Sequence, residues 1–195
     1  MVRRLLVLVG AFSIAAGVVV AQDAVRSDAA SMQKKVKAMA ARGEKSPGKS
    51  APALRTTFTD REANAYFKVY GHEFLPVGVL EPQVVIDERG KVRGRAIVDI
   101  DQAWKDRSWL FSWIGGKVEV VAIGTLRAAD GQGVFEIENT TLGGVSVPLS
   151  ILQTLVSFYS KTPDHPRGFE LDQPFELPSG IRSVETRKGA ATVVQ

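Results

Sequence analysis

Apolar and polar residues alternate with a period of two through the middle of the chain, and this spacing predicts β-strands. The strands are predicted in residues 91–101, 116–128 and 133–140, with a turn at Asp130 and Gly131. Their predicted inward residues are Val92, Gly94, Ala96, Val98 and Ile100, then Val118, Val120, Ala122, Gly124 and Leu126, then Phe135 and Ile137. Because a two-residue turn joins the second and third strands, the pattern indicates an antiparallel meander.

A short helix is predicted before this meander, in residues 58–71. Thr59 is a suitable N-cap, and Asp60 and Glu62 favour the positive end of the helix dipole. Gly71 is expected to end the helix. The apolar stripe of the helix is Ala63, Tyr66, Phe67 and Tyr70.

A second, more amphipathic helix is predicted after the meander, in residues 147–160. Pro148 fits its first turn, where a missing N–H does no harm. Its apolar stripe is Leu149, Leu152, Val156 and Tyr159, flanked by Leu155 and Phe158. Three short extended pieces then follow in residues 174–180, 181–189 and 190–194, separated by turns that contain glycine.

The first 21 residues are a predicted signal peptide or membrane anchor. Arg3 and Arg4 precede an unbroken run of apolar and small residues from Leu5 to Ala21, and its last three residues fit a signal-peptidase site. A membrane-spanning helix needs roughly 20 apolar residues, so this slightly shorter run favours cleavage after Ala21 over a retained anchor. Both alternatives stay open, and both imply export to the periplasm or to the outer face of the cytoplasmic membrane.

A basic flexible or helical tether is predicted in residues 22–55, ahead of a domain in residues 56–195. Met32, Val36 and Met39 recur there at helical spacing. One interpretation is a solvated linker. The other is an amphipathic basic helix that lies on anionic lipid head groups.

The net charge of +4 is unevenly distributed along the chain. Residues 1–57 hold 10 of the 25 basic and 3 of the 21 acidic residues, which leaves 15 basic and 18 acidic residues beyond them. Because phosphate binding needs a basic surface, this slightly acidic remainder argues against a nucleic-acid partner.

The residues that enzymes and metal sites use are sparse. The chain has no cysteine, which excludes disulfides and thiolate zinc sites, and its two histidines are His72 and His165. The acidic pairs Asp99/Asp101 and Glu136/Glu138 have the i, i+2 spacing of one polar strand face. We therefore expect no catalytic residues, no metal and no cofactor. A hydrolase would need Ser146 close to His165.

Two features point to apolar ligands. All three tryptophans lie between residues 104 and 113, either as a plug of the core or as an apolar tip that enters lipid or gates a cavity. Small residues recur on the predicted inward face, at Gly94, Ala96, Ala122 and Gly124. They either let the sheet curve against a helix or leave a groove for an acyl chain.

The stretches FTDREANAYF, GGVSVPLSILQTLVSFY and PFELPSGIRSVETRKGAATVV, together with the charged meander, resemble small bacterial proteins of the tubular lipid-binding (TULIP) superfamily, such as the YpmS-like group. The resemblance covers residues 58–194. It implies an α+β fold in which a strongly curved antiparallel sheet wraps around an amphipathic helix, with an apolar channel for lipid tails. It implies no catalytic set.

The resulting hypothesis is an exported lipid-binding or lipid-transfer module. Its partners would be a phospholipid or other amphiphile, and the membrane surface through the N-terminal segment. The predicted lipid-binding residues are Phe67, Tyr70, Val98, Ile100, Trp104, Trp109, Phe111, Trp113, Val120, Leu126, Phe135, Ile137, Leu152, Leu155, Val156 and Tyr159. The alternative is a periplasmic scaffold or interaction domain whose core is full.

Overall fold

In the computed structural model, the described residues form two antiparallel sheets and four α-helices. The structure describes residues 5–45, 52–103, 116–159, 167–168, 170–171 and 173–195, with side chains from residue 22 onward except those of Ala103, Leu155, Phe158 and Tyr159. The predicted mixture of helices and antiparallel strands is confirmed. Strong curvature of a sheet around one helix stays a prediction.

The elements have the following bounds. The helices are α1 (Leu5–Glu44), α2 (Asp60–Tyr70), α3 (Ile100–Ala103) and α4 (Leu149–Tyr159). The strands are β1 (Arg55–Thr59), β2 (Val79–Ile86), β3 (Lys91–Asp99), β4 (Lys117–Ala129), β5 (Gln132–Leu142), β6 (Val145–Ser146), β7 (Phe175–Glu176), β8 (Ser183–Arg187) and β9 (Ala190–Val194). Short 3₁₀ turns lie at Gly71–Glu73, Glu88–Gly90 and Pro178–Gly180.

The larger sheet has the strand order β2-β3-β4-β5-β6, and β7 also pairs with β5. The smaller sheet has the order β1-β9-β8. Strands β3, β4 and β5 are the predicted meander, and β7, β8 and β9 lie in the three predicted extended pieces. The sequence pattern did not predict β1, β2 or β6.

Helix α2 begins with the predicted cap. The Thr59 hydroxyl accepts a hydrogen bond from the Glu62 backbone N–H at 3.1 Å, and the Glu62 carboxylate accepts one from the Thr59 N–H at 2.9 Å. This reciprocal pair is a capping box, which satisfies two N–H groups that a helix start otherwise leaves unpaired. The helix ends at Gly71, whose N–H donates to the Phe67 carbonyl.

The same Glu62 carboxylate joins α2 to α1. Its side chain is buried, and its Oε1 accepts hydrogen bonds of 2.6 Å from both Lys35 Nζ and Ser31 Oγ. Burial by itself would raise the pKa of Glu62. The hydrogen bonds from Lys35, Ser31 and the Thr59 N–H, with the charge of Lys35, outweigh burial and lower the pKa from 4.5 to about 2.

Helix α1 packs against α2 and contributes buried side chains. The buried apolar residues around this contact and in the small sheet are Ala29, Met32, Met39, Ala63, Ala65, Ala190, Ala191, Val193 and Val194. Met32, Val36 and Met39 are the residues that recur at helical spacing in the predicted tether. In the structure, Met32 and Met39 are buried and Val36 is half-buried. The tether function of this stretch stays a prediction.

One side-chain amide attaches α2 to the edge of the large sheet. Asn64 Nδ2 donates to the Val84 carbonyl at 2.8 Å, and Asn64 Oδ1 accepts from the Val84 N–H at 2.7 Å. Both polar backbone groups of one β2 residue are therefore satisfied by α2.

Of the helices in the described part of the chain, none combines the length and the apolarity that crossing a membrane requires. The export leader stays a prediction.

Acid should weaken the contact between α1 and α2. Because the folded-state pKa of Glu62 is depressed, its contribution is complete above the unfolded value of 4.5 and is lost as the pH falls toward 2. We expect the free energy of unfolding to fall by about 3 kcal/mol from this group over that interval. Urea unfolding at a series of pH values measures it.

The Glu62→Gln variant should lose this part of the pH dependence. Glu185→Gln is the matched control, because Glu185 pairs with Arg55 at an exposed position of the small sheet, where an ion pair contributes about 0–1 kcal/mol. Equal acid sensitivity of the wild type and Glu62→Gln would refute the assigned role of Glu62.

Candidate functional site

Strand register decides which residues share a face of the large sheet. Gly94 pairs with Ala122 and with Val84, and Ala122 pairs with Thr140. Directly opposed residues project to the same side. We call the resulting side of β3, β4 and β5 the apolar face; it consists of Val92, Gly94, Ala96, Val98, Val118, Val120, Ala122, Gly124, Leu126, Phe135, Ile137, Thr140 and Leu142.

A β-bulge in β5 shapes this face. Gly124 pairs with Ile137, but the preceding residue Ile123 pairs with Asn139, so one residue of β5 is extra. An inserted residue reverses the in-out alternation beyond it. Thr140 and Leu142 consequently lie on the same side as Ile137.

The opposite side of the sheet carries the charges. Its ion pairs are Arg95–Glu119, Lys91–Glu138 at 2.9 Å and Arg127–Glu136 at 2.8 Å. Hydrogen bonds from Lys91 and from the Thr125 hydroxyl lower the pKa of Glu138 below its usual value. Over the described strands β3, β4 and β5, the apolar face has no charged side chain.

One end of the apolar face is covered by the α4 region. Ile100 of α3 and Leu142 are buried against each other. The half-buried side chains packed on this pair are Val98, Val118 and Val120 from the sheet and Val147 and Ile151 from the start of the α4 region. This part of the molecule is a packed core.

Aromatic rings cover the other end. A Cβ placed on Gly124 would lie 2.9 Å from Cζ of Phe135 and 2.5 Å from the Glu136 carbonyl oxygen. One placed on Gly133 would lie 2.7 Å from Cζ of Phe175. Neither glycine leaves room for a side chain.

The centre of the apolar face is open. Among the described residues, no heavy atom lies within 4 Å of a Cβ placed on Gly94, its chain neighbours excluded. Gly94, Ala96 and Ala122 are only half-buried although they lie in the middle of the sheet. The row Val84–Gly94–Ala122–Thr140 therefore crosses the four strands β2 to β5. Side-chain volume is small over β3 and β4, where the row consists of a glycine and an alanine.

The predicted lipid-binding residues occupy several places. On the apolar face lie Val98, Val120, Leu126, Phe135 and Ile137. Ile100 is buried beside the face, Leu152 is buried in α4, and Val156 is half-buried there. Leu155 and Tyr159 are α4 residues whose side chains are not described, and Trp104, Trp109, Phe111 and Trp113 lie outside the described residues.

The two predicted binding residues of α2 belong to a separate aromatic cluster. The Phe67 ring lies 6.3 Å from that of Phe74, and the Tyr70 ring lies 5.4 Å from that of Tyr66. Tyr66 stacks on Phe74 at 5.4 Å. Since α2 lies at the β2 edge, this cluster is beside the sheet.

Four exposed apolar side chains lie on the segments that precede β2 and that follow β5, which belong to opposite edges of the large sheet. Phe74 and Val77 precede β2 and are 47% and 71% exposed, Val145 in β6 is 68% exposed, and Leu149 at the start of α4 is 42% exposed. We call these four residues the apolar tip. The end of β3 and the start of β4, whose residues Asp99 and Lys117 are paired, lie at the same end of the sheet as the start of β2 and the end of β5. All three tryptophans belong to residues 104–115, which lie outside the described residues.

Of the residues considered for catalysis, those that the structure describes form no assembled site. His72 and Ser146 are exposed, and His165 lies outside the described ranges. Within those ranges, the acidic and histidine side chains form no group of three that would hold a metal ion. The hydrolase alternative and the expectation of no enzymatic activity both stay untested.

Sequence reasoning missed Thr140. Strict alternation from Phe135 and Ile137 would place Thr140 on the charged side. The available signal was the odd spacing between Ile137 and Leu142: both are apolar, and two inward residues five positions apart require an extra residue between them.

No protein-family model matches the chain, and no curated protein matches it. Among solved structures, the chain is similar to a crystal structure of lipopolysaccharide binding protein at 14% sequence identity, with a TM-score of 0.21. The alignment covers 76% of this chain and 46% of that chain, so this chain spans less than half of that protein's length. The TULIP resemblance stays a prediction.

Two glycine substitutions should separate the open centre from the covered end. Gly94→Ala adds a methyl group in free space, so we expect unchanged stability or a gain of up to about 1 kcal/mol. Gly124→Ala forces the same methyl group against Phe135 and the Glu136 carbonyl, and should cost about 1–3 kcal/mol. Urea unfolding compares them, and equal losses would show that the centre is closed.

Proposed function

We propose that the chain is an exported lipid-binding or lipid-transfer module that holds acyl chains against the centre of the apolar face. The observation that supports this most is the free space over Gly94. It lies on a sheet face whose strands β3 to β5 carry no charge in the described structure. The module would work in the periplasm or on the outer face of the cytoplasmic membrane.

The chemistry of this surface suits a hydrocarbon tail. Each CH₂ group removed from water contributes about 0.8 kcal/mol, without directional requirements. The row through Gly94 crosses four strands, and at about 4.8 Å between strands it is roughly 14 Å long. Sites for such ligands are mostly apolar and carry few polar groups, as the apolar face does.

The apolar tip supports contact with a bilayer. Phe74 and Val77 are exposed beside the β2 edge of the sheet, and Val145 and Leu149 are exposed beside the β6 edge. Single exposed apolar residues are common on proteins, so the support comes from two exposed pairs on the same sheet. We propose that Phe74, Val77, Val145 and Leu149 enter the lipid interface and that the tryptophans of residues 104–113 join them, since tryptophan favours that depth.

The alternative is a scaffold or interaction domain with a filled core. It is favoured by the packed cluster around Ile100 and Leu142, which closes one end of the apolar face. It gives no reason for the free space over Gly94. Ligand uptake separates the two functions.

Filling the free space should prevent binding. Delipidated protein is titrated with a fluorescent fatty acid, and we expect saturable uptake by the wild type. Gly94→Phe places a ring in the free space at the centre of the apolar face and should weaken uptake at least tenfold. Val85→Phe is the matched control, because Val85 is 53% exposed and opposes Arg93 on the charged side.

Absence of uptake by the wild type, together with absence of lipid in solvent extracts of the purified protein, would refute lipid binding. Equal weakening by Gly94→Phe and Val85→Phe would place the ligand elsewhere on the protein.

Charging the apolar tip should slow transfer without affecting uptake. In the double variant Val77→Asp and Val145→Asp, we expect the rate of lipid transfer between two vesicle populations to fall several-fold, because carboxylates at the tip oppose entry into the interface. Val85→Asp is the control. A double variant that transfers at the wild-type rate would show that the tip does not enter the bilayer.

A further inference from the structure

We infer that the hydroxyl group of Thr140 is the polar contact inside the groove, and that it donates a hydrogen bond to a neutral acceptor of the ligand, such as the ester carbonyl of an acylated glycerol. This inference rests on the proposed function and adds the chemical class of the ligand. It comes from two independent observations: the small residues beside Thr140 and the unpaired state of its hydroxyl.

Thr140 lies in the open row of the apolar face. It opposes Ala122, which in turn opposes Gly94. Its backbone is fixed in the sheet, and its carbonyl accepts a hydrogen bond from the Val147 N–H at 3.0 Å. The side chain therefore has a defined place two strands, or about 10 Å, from the free space over Gly94.

The hydroxyl lacks a partner in the described structure. Thr140 is 5% exposed, and its Oγ1 is buried without a hydrogen bond. Two threonines elsewhere in the described structure satisfy theirs: the Thr125 hydroxyl donates to Glu138, and the Thr154 hydroxyl donates to the Ser150 carbonyl. A buried polar group without a partner is rare and destabilising, so a ligand atom is a physical reason for its retention.

The surroundings favour a neutral acceptor over an ionised one. The basic side chains of β3 and β4 project to the charged side, where Arg95 and Arg127 are paired with glutamates. A carboxylate held at Thr140 would lack a cation, and burying an unpaired charge is costly. An ester carbonyl needs one donor, and the Thr140 hydroxyl supplies one.

The route to Thr140 runs over Gly94 and Ala122. Both are half-buried, whereas Thr140 is closed to solvent. A ligand whose ester end enters first over Gly94 and crosses Ala122 brings the ester to the hydroxyl, and its tail then lies behind it on the apolar row.

Two matched probes test this role. One is a pyrene-labelled fatty acid methyl ester, and the other is a pyrene-labelled alkane of equal length without the ester. Thr140→Val removes the hydroxyl and keeps the shape of the side chain. We expect this variant to bind the ester about fivefold more weakly, as one hydrogen bond of about 1 kcal/mol implies, and to bind the alkane as the wild type does.

Two further measurements complete the test. Thr141→Val, which removes a hydroxyl on the opposite side of the same strand, should bind both probes normally. Ligand-free Thr140→Val should unfold at the same temperature as the wild type or at a higher one, since it loses an unpaired buried group.

The outcomes are distinguishable. Wild-type affinity of Thr140→Val for the ester, equal loss for both probes, or a lower unfolding temperature would overturn the role of Thr140 and leave lipid binding intact. If the wild-type protein binds neither probe, both the groove and this inference are refuted.

Discussion

The register of β3, β4 and β5 is the constraint on which the binding surface depends. A shift of one residue would move every side chain to the opposite side of the sheet. Ion pairs across the strands, such as Arg95–Glu119 and Arg127–Glu136, oppose such a shift because it would break them and place charges on the apolar face. The charged side of the sheet thus helps to define the apolar side, although it would not contact a ligand.

Within this register, side-chain volume divides the apolar face into three parts. The cluster around Ile100 and Leu142 fills one end, and the ring of Phe135 fills the space over Gly124 at the other. Between these two ends, the described structure has free space over Gly94. Side chains cover both ends of the apolar face, and these packed ends stabilise the sheet on either side of the uncovered centre.

Much of the fold was predictable because local patterns determine it. Alternation identified β3 to β5, and Thr59 with Glu62 marked the start of α2. Strand β2 was missed because its alternation is broken: Glu81 has φ 47°, and the register shifts between Leu80 and Gln83. The contact of Glu62 with Lys35, 27 residues away, was also missed, since no local pattern encodes a contact between distant segments.

The candidate site was predictable only in part. The small residues of β3 and β4 followed from strict alternation, and they are the residues that border the free space. The position of Thr140 did not follow, because one bulge residue reverses the alternation beyond Ile137. The aromatic contacts of Phe67 and Tyr70 at the β2 edge depend on where α2 docks, which is a tertiary contact. In each of these cases, the missing information was the placement of one segment against another.

The amide of Asn64 has a consequence for self-association. An outer strand normally presents free N–H and C=O groups, which a strand from another molecule can pair with. At Val84 both groups are already bonded to Asn64, and the body of α2 lies alongside. A strand from a second copy of the chain therefore cannot form backbone hydrogen bonds with Val84 of the edge strand β2. For a protein with exposed apolar side chains, such blocking of strand addition protects against polymerisation into fibres.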